Sequence, residues 1–210
     1  MMDDPSVTTE AAIENRLVGN GISLSDERLC EVIEELHYVD LLIVSHFREK
    51  VIRTLAEAGL RITLYGTGWE NCDWLKNCPT VDFKGRVSAY QIVELMQDSK
   101  IVLSTMTWFK DGTHDRVFNG MLAGAVAVTD CSAYMRENFI GYDFAGNADE
   151  AELVMFELTE VESISSRLRT LLSNMDIMQR IADNGREKAA HYHTWQYRAD
   201  EIDANILKYL

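Results

Sequence analysis

The chain is short of the residues that break, staple or anchor a fold. Only two prolines, Pro5 and Pro79, occur in 210 residues, and no serine- or glycine-rich run interrupts it, so no internal linker is expected. The four cysteines, Cys30, Cys72, Cys78 and Cys131, follow no metal spacing, and no histidine pair accompanies Cys72 and Cys78. That argues against a zinc ribbon or a disulfide framework and suits free thiols in a cytoplasmic protein. No apolar run reaches eighteen residues and no secretory leader pattern is visible, so no transmembrane segment is expected. Repeats of fixed period are absent too.

Basic residues are also scarce. Twenty Lys and Arg stand against 34 Asp and Glu, a formal net charge of −14. Nucleic acids and anionic membranes both need a basic face, so neither is expected as a partner. The acidity is uneven: residues 1–36 hold nine acidic and two basic residues, and 146–163 hold six acidic and no basic. Any anionic ligand must therefore be held by local geometry in the middle of the chain.

What is present is an α/β pattern. Hydrophobic residues make up 47% of the chain, enough for one α/β domain with added helices. Ala11 to Leu17, and Asp26 to Leu36 behind a Ser25 cap, read as helices separated by Gly19-Asn20-Gly21. Val39-Asp40-Leu41-Leu42-Ile43-Val44 reads as a first buried strand, followed by Ser45-His46-Phe47-Arg48, a helix to Gly59, and a second strand over Arg61–Tyr65. A third strand at Thr80–Phe83, a helix from Ser88 to Asp98, and a fourth strand at Ile101–Ser104 follow. After Asp130 come a short helix at Tyr134–Phe139, an edge strand within Leu153–Leu158, and helices at about 160–173, 176–190 and 194–210. This predicts a doubly wound, Rossmann-like parallel sheet of about six strands with helices on both faces and extra helices at both termini. Residues 1–37 form an N-terminal helical extension and 38–210 the Rossmann-like domain.

The chain is organised around Lys110 to Asp130, KDGTHDRVFNGMLAGAVAVTD. Asp111 and Thr113 are placed to cap a helix that Gly124 ends, and Ala125–Val128 is the short apolar run of a buried parallel strand. A helix N-terminus gathers unpaired N–H groups and the positive end of the macrodipole. Gly112 leaves room for an anion, and His114 and Arg116 add one switchable and one permanent charge. A diphosphate seat is one reading. An ordinary loop glycine beside a solvated Asp115-Arg116 face is the other. Gly66-Thr67-Gly68 ends the second strand at its carboxyl edge, where open parallel sheets bind ligands, and is equally a turn set by two glycines.

Three segments in order, Phe83-Lys84-Gly85-Arg86-Val87, Asp111 to Asp130, and the tail IADNGREKAAHYHTWQYR, resemble the carboxy-terminal donor-binding lobe of a GT-B glycosyltransferase of the group-1-like family, nearest its spore-maturation type. The resemblance covers roughly residues 38–200. It implies two Rossmann-like lobes around a cleft, with this lobe holding a nucleotide sugar, by default a UDP-sugar, and no further cofactor or metal. It implies that His114 and Arg116 hold the diphosphate, that Asp111, Gly112, Thr113 and Asn119 lie along the sugar and ribose, that backbone near Arg86 and Val87 lies against the base, and that Gly66 and Gly68 border the cleft. His193-Thr194-Trp195 matches a structural tail motif, a helix cap and a buried ring. The catalytic residues are unknown.

Two positions depart from the pattern: Asp111 and Asn119 stand where related retaining enzymes carry glutamates eight residues apart. Carboxylates accept two ribose hydroxyls, whereas an amide offers one acceptor and a donor. The acceptor lobe of such enzymes precedes the first strand by 150 or more residues, against fewer than forty here. The chain is then a piece of a longer enzyme or a lobe completed by another chain. A nucleotide-binding module without catalysis is the alternative. A receiver-type interaction domain fits least, since no lysine closely follows Asp130.

Overall fold

The computed structural model describes residues 1–208. Elements run in the order α1 (Thr9–Gly19), α2 (Asp26–Glu35), α3 (His37–Glu57), β1 (Ile62–Tyr65), β2 (Val81–Gly85), α4 (Ala89–Gln97), β3 (Ile101–Ser104), α5 (Asp115–Leu122), β4 (Val126–Asp130), α6 (Ala133–Asn138), β5 (Val154–Phe156), α7 (Val161–Leu172), α8 (Met175–Tyr192) and α9 (Trp195–Ile206). Two short 3₁₀ turns, Trp69–Asn71 and Asp73–Asn77, lie between β1 and β2. Local chemistry sets many helix starts: the side chains of Thr8, Ser25, Ser132, Asn174 and Thr194 each accept from a first-turn N–H. Ser88 and Gln91 complete a reciprocal capping box at α4.

All strand pairings are parallel. β1 pairs with β2, and β3, β4 and β5 pair in that order, with Val102 opposite Ala127 and Thr129 opposite Met155. Among the described residues no ladder joins β1 to β3. β4 is buried along its whole length, so its alternate side chains need cover on both faces. Val126 and Val128 pack with Val154, Phe156, Phe47, Val51 and Leu55 of α3 and Ile164, Leu168 and Leu171 of α7. On the other face Ala127 packs with Val117 and Met121 of α5, Met135, Leu153 and Ala189 of α8. Helices thus cover both faces, the doubly wound arrangement expected from the alternation of elements.

The structure differs from the sequence expectations at four places. Residues 39–44 belong to α3 rather than to a strand, and the strands number five in two sheets rather than six. Ile43, Phe47, Val51 and Leu55 recur every fourth residue and make one continuous core-facing stripe, which carries the helix upstream. Asp111 and Thr113 do not cap α5; His114 does, its Nδ1 accepting from the Arg116 N–H at 3.1 Å. The ring of the tail that packs inward is the half-buried His193, not Trp195. His193 stacks on Phe118 at 4.4 Å between ring centres, while Trp195 is 87% exposed. The remaining elements lie where expected within a few residues, the last two positions of the helix expected over 194–210 lying outside the described residues.

Helix α8 runs through Gly185 because only a glycine fits there. A Cβ at that position would stand 2.3 Å from the Glu152 carbonyl oxygen, ahead of β5. Gly185→Ala should therefore lose more from overpacking, about 1–3 kcal/mol, than it gains in helix propensity. The net loss, about 1–2 kcal/mol, should lower Tm by roughly 2–8 °C; an unchanged or raised Tm would refute the close approach of α8 to that carbonyl.

Candidate functional site

Because α5 connects β3 to β4, its N-terminus lies at the carboxyl edge of the sheet, where open parallel sheets form crevices. A cleft of about 990 Å³ opens there and extends between β1 and β3. Six of the ten residues singled out from sequence line it: Gly66, Arg86, Val87, His114, Arg116 and Asn119. Gly66 and Gly68 both hold positive φ, 132° and 90°, so the turn leaving β1 needs two glycines. Gly68 itself stands back from the cleft as the lead-in to a 3₁₀ turn.

Asp111, Gly112 and Thr113 are not brought to this cleft. Ser132 Oγ donates to the Gly112 carbonyl at 2.6 Å and the Tyr134 N–H to that of Asp111 at 3.3 Å, which ties the loop to the start of α6. Asp111 faces a second, smaller cavity of about 410 Å³. The loop was legible as a loop, but its direction depends on Ser132 and Tyr134, twenty or more residues on.

Electrostatics single out Arg116. Its guanidinium donates to Ser104 Oγ at 3.3 Å, and burial and the nearby Arg48 guanidinium both pull its pKa down, with Asp115 acting the other way. Arginine stays charged regardless. Among the described residues no carboxylate pairs with Arg116 or Arg48 at ion-pair distance. Two like charges thus face one cleft with Asp115 nearby but no carboxylate at ion-pair distance, in a chain of net charge −14.

Arg48 was missed in the sequence. It lies over the Trp69 ring, 5.8 Å from its centre, which fixes the side chain at the cleft wall. The signal was its place just beyond an apolar run.

Burial, followed by Arg116, pushes the His114 pKa below the usual histidine range. Its Nδ1 cannot both accept from the Arg116 N–H and be the protonated partner of Asp115 Oδ1. The lowered pKa favours the neutral, capping form, so in this structure His114 acts as a helix cap rather than as a standing positive charge.

Three solved structures share this fold. TarM is 15% identical with a TM-score of 0.57, over 74% of this chain and 31% of that one. HepE from Anabaena, in complex with UDP-glucose, is 17% identical with a TM-score of 0.56, over 75% and 44%. The C-terminal domain of the group 1 glycosyl transferase LpcC from Francisella tularensis is 12% identical with a TM-score of 0.52, over 70% and 80%. The architecture is that of a Rossmann-like GT-B lobe. The chain belongs to the Glycosyl transferase-like family, whose sequence profile matches residues 48–204. It spans about a third to under half of TarM and HepE. No curated protein matches it in sequence. No helix among the described residues is long and apolar enough to cross a membrane, and none of their His, Cys, Asp and Glu side chains cluster as a metal site.

The second cavity contains Asp130, the last residue of β4, which is 5% exposed. Burial pushes its carboxyl pKa up from 3.8 to about 6, against the Met106 N–H that donates to it and the Lys110 charge. A raised folded-state pKa means that the native protein holds this proton more tightly than the unfolded chain. The contribution is fully present below about 3.8 and is lost as pH rises through about 6, on the order of 2–3 kcal/mol. Tm measured from pH 4 to 7.5 should show the native protein losing roughly 5–10 °C relative to Asp130→Asn across that window. A constant difference between the two curves would contradict the raised pKa.

Proposed function

We propose that this chain is the donor lobe of a glycosyltransferase that takes a hexosyl group from a nucleotide sugar, by default a UDP-sugar. The observation that carries it is the pair of unpaired guanidiniums, Arg48 and Arg116, at the start of α5 on the carboxyl edge of a parallel sheet. A diphosphate supplies two or more negative charges and planar oxygen pairs suited to guanidinium forks. The positive end of α5 adds to the attraction. Gly66 leaves the strand end open, the Arg86–Val87 backbone borders the base, and Asn119 lies next to the ribose. Family membership supports glycosyl transfer, and the UDP-glucose complex of HepE supports a uridine nucleotide.

In transfer, the bond between the sugar and the diphosphate breaks and charge builds on the departing oxygen. Arg116 and Arg48 are already charged and in place, so they stabilise that charge with little rearrangement. The acceptor's nucleophile forms the new bond to the sugar and gives up its proton to a base; a second lobe or a partner chain holds the acceptor and excludes water on closing. Alone, these 210 residues should turn a nucleotide sugar over very slowly. A second reading, nucleotide binding without catalysis, is favoured by Asn119 standing where a carboxylate would hold the ribose.

Isothermal titration with UDP, pyrophosphate and 2′-deoxyuridine diphosphate tests the proposal, and no heat with any at millimolar concentration would sink it. Hydrogen bonds to charged groups contribute about 1.5–3 kcal/mol, so Arg116→Ala should weaken all three ligands by roughly ten- to a hundredfold. Asn119→Glu should strengthen UDP and leave pyrophosphate nearly unchanged. Equal affinities of native protein and Arg116→Ala would remove Arg116 from the site.

A further inference from the structure

Three strands of the sheet end over the second cavity. Met106 and Thr107 just past β3, Asp130 and Cys131 at the end of β4, and Glu157 and Leu158 just past β5 all line it, and it shares no lining residue with the α5 cleft. The N-terminal segment 3–6 forms part of the wall, held there by Lys110, whose Nζ donates to the Pro5 carbonyl at 2.6 Å.

The charge of this cavity is opposite to that of the α5 cleft. Five carboxylates line it against two cations, and both cations are engaged: Arg136 pairs with Glu157 at 2.7 Å, and Lys110 reaches the Pro5 carbonyl. Asp130, 5% exposed, accepts from the Met106 N–H, and among the described residues no cation stands at ion-pair distance from it. Its carboxyl, raised to about 6, is still mostly ionised at neutral pH, so a buried negative charge stands there without a paired cation. Thr107, 4% exposed, lines the same cavity, and its hydroxyl has no hydrogen-bond partner among the described residues. Buried hydroxyls are rarely left so unless something else supplies the bond.

These features select a ligand. The carboxylates repel anions, and the described His, Cys, Asp and Glu side chains form no cluster that could hold a metal ion. An ammonium has three donors and no acceptor, which matches a carboxylate and a free hydroxyl. A cavity of about 410 Å³ has room for a ring of hexose size around that ammonium. Phe109, 41% exposed, offers an aromatic wall to the C–H face of such a ring, and Ser6 and Thr159 place hydroxyls in the same lining.

We propose that this cavity binds a small hydroxylated amine of about amino-sugar size, its ammonium seated on Asp130 and Thr107 and its ring against Phe109. The sheet then carries two ligand sites on one edge, a cationic one for the nucleotide and an acidic one for the amine. The second uses none of the residues of the first, so nucleotide binding can fail while it holds.

Amide shifts followed as glucosamine is added to the whole labelled chain at neutral pH, with glucose and N-acetylglucosamine as uncharged counterparts, test it. Saturable shifts are expected at Met106, Cys131 and Thr159 with Gly66, Val87 and Asn119 unmoved, and glucosamine should bind at least tenfold more tightly than either uncharged sugar. Asp130→Asn keeps an acceptor for the Met106 N–H but removes the charge, and should weaken glucosamine roughly ten- to a hundredfold. Thr107→Val removes the unpaired hydroxyl, so it should leave Tm unchanged or raised and weaken glucosamine roughly three- to tenfold; this variant decides the matter should Asp130→Asn fail to fold. Arg116→Ala should leave glucosamine affinity as in the native protein. No saturable shift up to tens of millimolar glucosamine, shifts centred on the α5 cleft, equal affinity for the uncharged sugars, or native affinity in Thr107→Val would each overturn the proposal.

Discussion

The ladder between β3 and β4 is the constraint on which the rest depends. β4 is buried on both faces, so the chain must supply helices on both sides, and the link from β3 to β4 must itself be one of them. That link is α5. Its start is thereby fixed at the carboxyl edge of the sheet, and Arg116, one residue into the helix, is carried to the cleft together with Asn119 one turn on. The site follows from the packing rather than from any motif of its own.

Charge makes that placement consequential. An acidic chain should neutralise its arginines readily, and many of them do sit beside carboxylates: Arg28 with Glu31, Arg53 with Glu57, Arg136 with Glu157, Arg180 with Asp149. Arg48 and Arg116 do not; Arg48 is exposed, but Arg116 is a partly buried guanidinium, and leaving it without a paired carboxylate is costly. Leaving two such charges together lowers stability unless a ligand with compensating charge occupies the cleft. A diphosphate is a ligand of that kind, and its binding would offset the cost.

Much of this was legible in the sequence, for identifiable reasons. Strands such as Ile101–Ser104 and Val126–Asp130 are short apolar runs bounded by turn residues, and helices at Ser25, Ser88 and Thr194 announce themselves by caps. The cleft residues Gly66, Arg86, Val87, His114, Arg116 and Asn119 were found because strand ends and helix starts are local features. Failures came where distant partners decide. Asp111 to Thr113 are turned aside by Ser132 and Tyr134, and His193, half-buried, takes the inward place expected of Trp195 because Phe118 and Phe139 offer it rings to stack on. Residues 39–44 show both periodicities at once: an apolar run by composition, and a four-residue stripe through Ile43 and Phe47.

The central claim is that the cleft at the start of α5, and not the cavity around Asp130, takes a nucleoside diphosphate. Amide chemical shifts followed as UDP is added to the isotopically labelled chain test this most directly. Binding in the α5 cleft predicts saturable shifts clustered at Gly66, Val87, Arg116 and Asn119, with Met106, Cys131 and Thr159 unmoved. Shifts centred on those last three residues would contradict it.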